Sequence, residues 1–125
     1  MTTAAQHWTR CKKYIEDALA ENPGLETIED IERRVESGVY FCWFGNNCAA
    51  ITEICHYPNR RVLDIRHCGG DLNELLDRLE PAMCEFAREN GCTAIMGTGR
   101  KGWERVGEKR GYRFVSLTCL KDLVQ

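Results

Sequence analysis

No apolar run in this chain is long enough to span a membrane. No basic-then-apolar leader opens it either, so neither a transmembrane helix nor a signal peptide is expected, and no membrane partner. Positive charge is not in excess: a net charge of -2 argues against a dedicated nucleic-acid binder. No C-x-x-C pair occurs among the eight cysteines, Cys11, Cys42, Cys48, Cys55, Cys68, Cys84, Cys92 and Cys119, and their gaps are irregular. With no leader and no cysteine framework, the expectation is a cytoplasmic protein with all eight thiols free, most of them behaving as small buried hydrophobes. Cys55-His56 and His67-Cys68 could face each other across a hairpin, but they lack the spacing of a zinc ligand set, so no metal is expected. Repeats, linkers and low-complexity segments are absent too, and 125 residues make one domain, 1–125, with a single core.

The charge that is present is unevenly placed. Arg100, Lys101, Arg105, Lys109, Arg110 and Arg113 crowd one segment against only Glu104 and Glu108, whereas Glu26, Glu29, Asp30, Glu32 and Glu36 make Leu25 to Glu36 acidic. A local basic patch on an acidic protein suits a small anion, or it is simply the solvated face of a basic helix; both readings stand.

Hydrophobic periodicity gives the element order. Trp8, Cys11, Ile15, Ala18 and Leu19 mark a first helix running to about Glu21, stopped by Asn22-Pro23-Gly24. Thr27 and Asp30 form a capping-box signal for a second helix, with Ile28, Ile31 and Val35 on its buried face and Gly38 at its end. Val39 to Phe44, Cys48 to His56 and Arg61 to His67 read as three strands joined by short turns, an antiparallel meander. A Gly69-Gly70 turn then feeds a helix from Asp71 to Asn90, with Asp71 as N-cap and Glu74 as its N3 partner. Pro81 inside that pattern predicts a kink or break. Cys92 to Met96 reads as a buried strand parallel to Arg61–His67, the connection being right-handed. A helix over Lys101 to Arg110 and a closing strand over Tyr112 to Leu120 complete an α/β chain of order ααβββαβαβ, a mixed sheet with helices on both faces.

Two motifs carry chemistry. A strand that enters a helix through glycines leaves backbone N–H groups at the positive end of the helix, which suits a phosphate. Arg66-His67-Cys68-Gly69-Gly70-Asp71 has that form, though the same residues also read as a turn and a helix cap. Gly97-Thr98-Gly99-Arg100-Lys101-Gly102-Trp103 is glycine-rich and bears two adjacent cations, without the Gly-Lys-Ser/Thr of a nucleotide P-loop. Its plainer reading is a strand-to-helix connector anchored by Trp103.

The element order and these motifs resemble the GNAT acetyltransferase superfamily over roughly residues 39 to 120, after a first strand that the sequence does not display. The family's pyrophosphate motif is Arg or Gln, two residues, Gly, one residue, then Gly or Ala. Arg66 and Gly69 match; Asp71 does not, and a carboxylate there opposes a phosphate by on the order of 1 kcal/mol. Its second motif ends in Gly-Tyr, matched by Gly111-Tyr112, but Gly107 stands where the family often keeps a Tyr as general acid. Tyr112 itself reads as a core or edge aromatic.

The resemblance implies an acyl-CoA-dependent N-acyltransferase in which a small-molecule or peptide amine attacks the thioester of acetyl-CoA directly. It implies cofactor contacts from Ile65, Arg66, Gly69, Gly70, Arg100 and Lys101, and a carboxylate base on the central strands, for which Asp64 and Glu53 are the candidates. Asp64 and Arg66 are two apart and so share a face, which equally reads as a surface ion pair. Cys68 at the helix entrance has no convincing histidine partner as a nucleophile. The compact length and the Arg-Lys-Gly-Trp loop also resemble GNAT-like proteins of bacteriophages and prophages. That comparison implies a bacterial host cell or a virion, and it sustains a second expectation: a degenerate scaffold that binds without catalysis.

Overall fold

A computed structural model describes residues 4–20, 24–99 and 102–123. The helices are α1 (Ala4–Leu19), α2 (Ile28–Glu36), α3 (Leu72–Glu74, a π-helical stretch Leu75–Leu79, then Glu80–Glu89) and α4 (Trp103–Lys109). The strands are β1 (Tyr40–Phe44), β2 (Cys48–His56), β3 (Arg61–Gly70) and β4 (Ala94–Gly97), side by side in the order β1-β2-β3-β4. The first three are antiparallel, as expected of a meander, and β4 runs parallel to β3.

Alternation along the strands sends side chains to two cores. On one face Ala49 and Ile51 of β2 and Tyr40 of β1 meet Trp8, Cys11 and Ile15 of α1 and Ile31 of α2. On the other, Cys48, Ala50 and Leu63 meet Leu75, Leu76, Leu79, Met83 and Ala87 of α3. α2 starts as its sequence indicates, with Thr27 and Asp30 exchanging side-chain and backbone hydrogen bonds.

Five expectations are corrected. First, Tyr112 to Leu120 forms no strand: among the described residues the sheet ends at β4, which pairs only with β3. Second, Cys11 and Cys42 form a disulfide that ties α1 to β1, so the thiols are not all free. α1 packs its buried face on β1, and that meeting is invisible in a spacing of 31 residues. Third, Cys55 and His56 pair with Val62 and Arg61 while His67 and Cys68 pair with Ile51 and Ala50, so the two Cys-His couples never oppose one another.

Fourth, Gly69 and Gly70 are not a free turn but the last two residues of β3, opposite Ala49 and Cys48. A Cβ on Gly69 would lie 2.4 Å from the Tyr14 carbonyl oxygen, so glycine there lets α1 approach the sheet; Gly70 takes φ +94°. Fifth, Asp71 caps α3 as expected, accepting from the Asn73 and Glu74 N–H groups, but Glu74 does not reach back to it. Its carboxylate instead accepts from the N–H groups of Asn46 and Asn47 at 2.8 and 2.7 Å, clamping the β1–β2 turn.

Pro81 acts through the π-helical stretch before it. In that register the Glu80 N–H reaches back to the Leu75 carbonyl. The next carbonyl, Leu76, would need the N–H of residue 81, and proline has none. Arg110, just after α4, donates to the Leu76 carbonyl at 3.3 Å and pairs with Asp77 at 2.6 Å. The gap left by the proline is thus where the end of α4 docks.

Candidate active site

β3 carries a bulge at its centre. Ile65 pairs with Thr52 and His67 with Ile51, leaving Arg66 as the extra residue. β3 also parts from β4 here, their pairing ending at Ile65 and Gly97 while β3 continues beside β2 to Gly70. Beyond that point the two faces of the sheet are no longer separated by a hydrogen-bonded ladder between these strands.

On the α1–α2 face, Tyr40, Glu53 and Asp64 stand in a row across β1, β2 and β3. Two carboxylates directly opposite on neighbouring strands repel, and Arg66 is what joins them, 3.5 Å from Glu53 and 3.4 Å from Asp64. The same guanidinium lies 3.8 Å from Glu26, in the loop before α2. Glu26 in turn accepts a hydrogen bond from the Tyr40 hydroxyl at 2.6 Å and contacts His67 Nε2 at 3.0 Å.

The electrostatics of these acids diverge. Asp64 is 13% exposed, and its Oδ1 has no hydrogen-bond partner among the described residues. Burial pushes its carboxyl above the ordinary range; Arg66 opposes this and Glu53 adds to it. Glu26 moves the other way: burial works to raise it, but the hydrogen bonds from Tyr40 and His67 and the charge of Arg66 outweigh that. Burial and the Glu26 bond push the Tyr40 phenol up to about 12, and burial beside Glu53 pushes the Cys55 thiol up to about 11. Of these acids Asp64 is the one whose carboxyl is raised, so it holds a proton more readily than an ordinary aspartate.

The opposite face, between α3 and α4, holds an apolar cleft at the parting of the strands. Ile65 and Cys68 form one wall, Gly97 to Gly99 the other, and Leu76, Trp103 and Tyr112 close it. Its enclosed part is about 100 Å³, room for several water-sized groups. Tyr112 reaches it because Gly107 has no side chain: a Cβ there would lie 3.3 Å from the Tyr112 Cβ. The phenol donates to Glu80 at 3.2 Å, and burial with the nearby Glu80 charge raises its pKa, so it keeps its proton.

Of the candidates named from sequence, Asp64, Glu53 and Arg66 come together on one face and Ile65 lies in the cleft. Gly69 and Gly70 lie three to five residues further along β3, beside Tyr14 and Asn47. Arg100 and Lys101 lie outside the described residues. Cys68 lines the cleft. Sequence reasoning did not find Glu26, Tyr40, His67 or Glu80. Gly107 was the one available sign of Tyr112, a missing side chain four residues before a Gly-Tyr.

Neither a family model nor a curated protein matches the amino-acid sequence. Solved structures do match in shape. An acetyltransferase of Trypanosoma brucei superimposes with a TM-score of 0.67 at 19% identity, over 98% of this chain and 96% of that one. An aminoglycoside acetyltransferase from an uncultured soil metagenomic sample, solved with sisomicin, gives 0.67 at 10% identity over 98% and 93%. The glucosamine-6-phosphate N-acetyltransferase of Arabidopsis thaliana gives 0.62 at 14% identity over 98% and 95%. At such identities the likeness establishes a shared fold. Among the described residues no helix is long and apolar enough to cross a membrane, and no group of three or more His, Cys, Asp and Glu side chains is placed to hold a metal ion.

Proposed function

We propose that this chain, which has the fold of the GNAT acetyltransferases, is an acyl-CoA-dependent N-acyltransferase acting on a small-molecule amine. The observation that carries the reading is Asp64: a partly buried carboxyl with its buried Oδ1 unpartnered among the described residues and its pKa raised, where β3 leaves β4. A general base works best when its pKa nears the working pH. Bound acetyl-CoA would supply a thioester carbonyl open to attack. The apolar cleft fits an acyl-thioester arm, and its enclosed volume leaves the nucleotide outside.

Placement supports the following part for the chain's own residues. The amine enters from the α1–α2 face among Tyr40, Glu53, Asp64 and Arg66, and Asp64 takes its proton. Glu53 and Glu26, held by Arg66, keep the guanidinium from neutralising Asp64 alone. Across the sheet, Tyr112 lines the cleft where the thioester would lie, its hydroxyl donating to Glu80, and the sulfur departs as a thiolate. Arg66 is engaged by Glu26, Glu53 and Asp64 on the amine's face, which leaves the loop cations Arg100 and Lys101 as the groups for the cofactor's phosphates, with Gly69 and Gly70 further along β3. The named substrates of the structural neighbours, an aminoglycoside and glucosamine 6-phosphate, are amines and support an acceptor of that class.

A second reading rests on Asp71 and Gly107. Asp71 occupies the N–H groups that an anion would use at α3, and its own N–H bonds the Asn47 carbonyl. A non-catalytic binding scaffold, of the kind carried by phages, accommodates both features. Calorimetry with acetyl-CoA, followed by release of free CoA thiol with a panel of amines, separates the two. Binding with amine-dependent thiol release supports the enzyme; no binding at millimolar acetyl-CoA leaves the scaffold.

A further inference from the structure

One disulfide joins Cys11 to Cys42, while the other six cysteines keep free thiols, the exposed Cys119 among them. Permanent disulfides come as frameworks in small secreted domains, whereas a single bridge among reduced thiols is typically transient, catalytic or redox-sensing. Nor does α1 depend on the bridge to find its place. Trp8, Cys11 and Ile15 are buried against Tyr40, Ala49 and Ile51 of the sheet, an apolar contact that holds whether or not the sulfurs are joined.

Two features suit this bond to opening and closing. The first is access. Cys11 is wholly buried, but Cys42 is half-buried and lines an open groove of about 350 Å³ with His7, Val35, Trp43 and Phe86. Thiol exchange needs a sulfur that an incoming thiolate can reach, and Cys42 offers it. The second is accommodation. The Trp43 carbonyl oxygen lies 3.4 Å from the Cys11 sulfur, and the His7 carbonyl oxygen lies 3.9 Å from that of Cys42. A reduced pair therefore finds an acceptor for each S–H, and opening the bond strands no donor.

We propose that Cys11–Cys42 is a thiol–disulfide exchange site: a small thiol reductant enters the groove and attacks Cys42, and the chain stays folded in both the bridged and the dithiol state. The reductant's thiolate bonds to the Cys42 sulfur, the Cys11–Cys42 bond breaks, and Cys11 departs as a thiolate that takes up a proton. A second thiolate attacks the reductant's sulfur in the mixed disulfide and frees Cys42, which is protonated in turn. The two cysteines gain two electrons, and two reductant thiols leave as one disulfide. Cys11 leaves into an apolar core where a thiolate is poorly solvated, so exchange is slow and each state persists once set. α1 lies across the sheet between two anchors, the bridge at β1 and the Tyr14 carbonyl over Gly69 of β3. Tyr40, two residues before Cys42 and on the same face, donates to Glu26. Opening the bridge loosens α1 and the β1 end of the row Tyr40, Glu53 and Asp64, and leaves β2, β3 and α3 in place.

Equilibrating the folded full chain with glutathione, from fully reduced to fully oxidised, tests this. No acetyl-CoA is present, so the outcome is independent of acyl transfer. Acid quenching, alkylation and peptide mapping read the state of Cys11 and Cys42. The pair should open at millimolar reduced glutathione without denaturant and close again in oxidised glutathione. Both forms should share the far-ultraviolet circular dichroism of a folded chain. The dithiol form should melt on the order of 10 °C lower, because a loop spanning 31 positions is no longer closed. It should also exchange amide hydrogens faster in 4–19 and 40–44 alone. In Cys11→Ser, Cys42 should form a mixed disulfide with oxidised glutathione, whereas in Cys42→Ser the buried Cys11 should stay unmodified until the chain unfolds. A bridge that opens only in denaturant, or a pair that stays reduced in oxidised glutathione, overturns the proposal. So does a dithiol chain that is unfolded, one whose α1 exchanges no faster, or a Cys11 that reacts as readily as Cys42.

Discussion

Asp64→Asn should raise stability while removing activity. The carboxylate is 13% exposed with Oδ1 buried and unpartnered among the described residues, and the folded state raises its pKa above the ordinary 3.8. An acid shifted this way favours folding fully below its unfolded pKa, and that advantage is lost as pH rises through the folded pKa. At pH 7 the wild type therefore bears the cost of a poorly solvated charge. Asparagine keeps the shape without that charge. Arg66 is not orphaned by the change, because Glu53 and Glu26 remain at 3.5 and 3.8 Å.

A buried unsatisfied group costs about 1–3 kcal/mol. Arg66 offsets part of it, so the gain should be about 1 kcal/mol at pH 7, or roughly 3–5 °C in melting temperature for a chain this size. Melts of both proteins between pH 4 and 8 should show the difference growing with pH and vanishing at the acid end. Loss of the base should lower kcat by about 10²–10⁴, read as CoA thiol release. A variant that melts below the wild type at pH 7 would refute the burial argument, showing the Asp64–Arg66 pair to be net stabilising. A variant of full activity would place the base elsewhere.

Four further outcomes are expected. Gly69→Ala drives a methyl into the Tyr14 backbone and should cost roughly 2–3 kcal/mol in thermal or urea unfolding; lost acetyl-CoA affinity at unchanged stability would make Gly69 a ligand contact instead. Asp71→Ala should lose a helix cap, about 1 kcal/mol, yet tighten acetyl-CoA in calorimetry, and weaker binding would remove Asp71 from the phosphate site. Glu74 has its pKa lowered chiefly by the Asn47 and Asn46 N–H groups, so its support is present above the ordinary 4.5 and lost as pH falls through the lowered value. Glu74→Gln should be weaker at pH 7 and show a flatter acid limb in the same melts. Thiol titration of the unfolded, unreduced chain should count the six cysteines outside the disulfide, and eight after reduction.

Local signals were read well where local physics decides. β2 occupies Cys48–His56 as its sequence indicates, because turn residues bound it at both ends. The capping box of α2 was legible for the same reason. The closing strand failed because alternation reports a preference for extended backbone and says nothing about whether a neighbour is there to receive it. The Cys11–Cys42 bridge and the Glu26–His67 contact, 41 residues apart, arise only when α1 and the α2 loop lie down on the sheet. Asp64 and Glu53 could be nominated as the acidic residues of the meander. That the Asp64 carboxyl has its pKa raised depends on burial, which a sequence does not display.

The proline gap in α3 also fixes how α4 can come away. α4 is held by Trp103 and Val106 against the core, by Arg110 at the Leu76 carbonyl and by Tyr112 at Glu80. α3, in contrast, buries a continuous apolar face on the sheet. Sub-global opening follows such differences in attachment. The segment from Trp103 to Tyr112 is therefore expected to open in hydrogen exchange before the sheet and α3 do. The Leu76 carbonyl, which no backbone N–H at residue 81 can claim, gives that unit one fixed seat on α3, so a substitution at Pro81 would act on the wall of the cleft as well as on the helix.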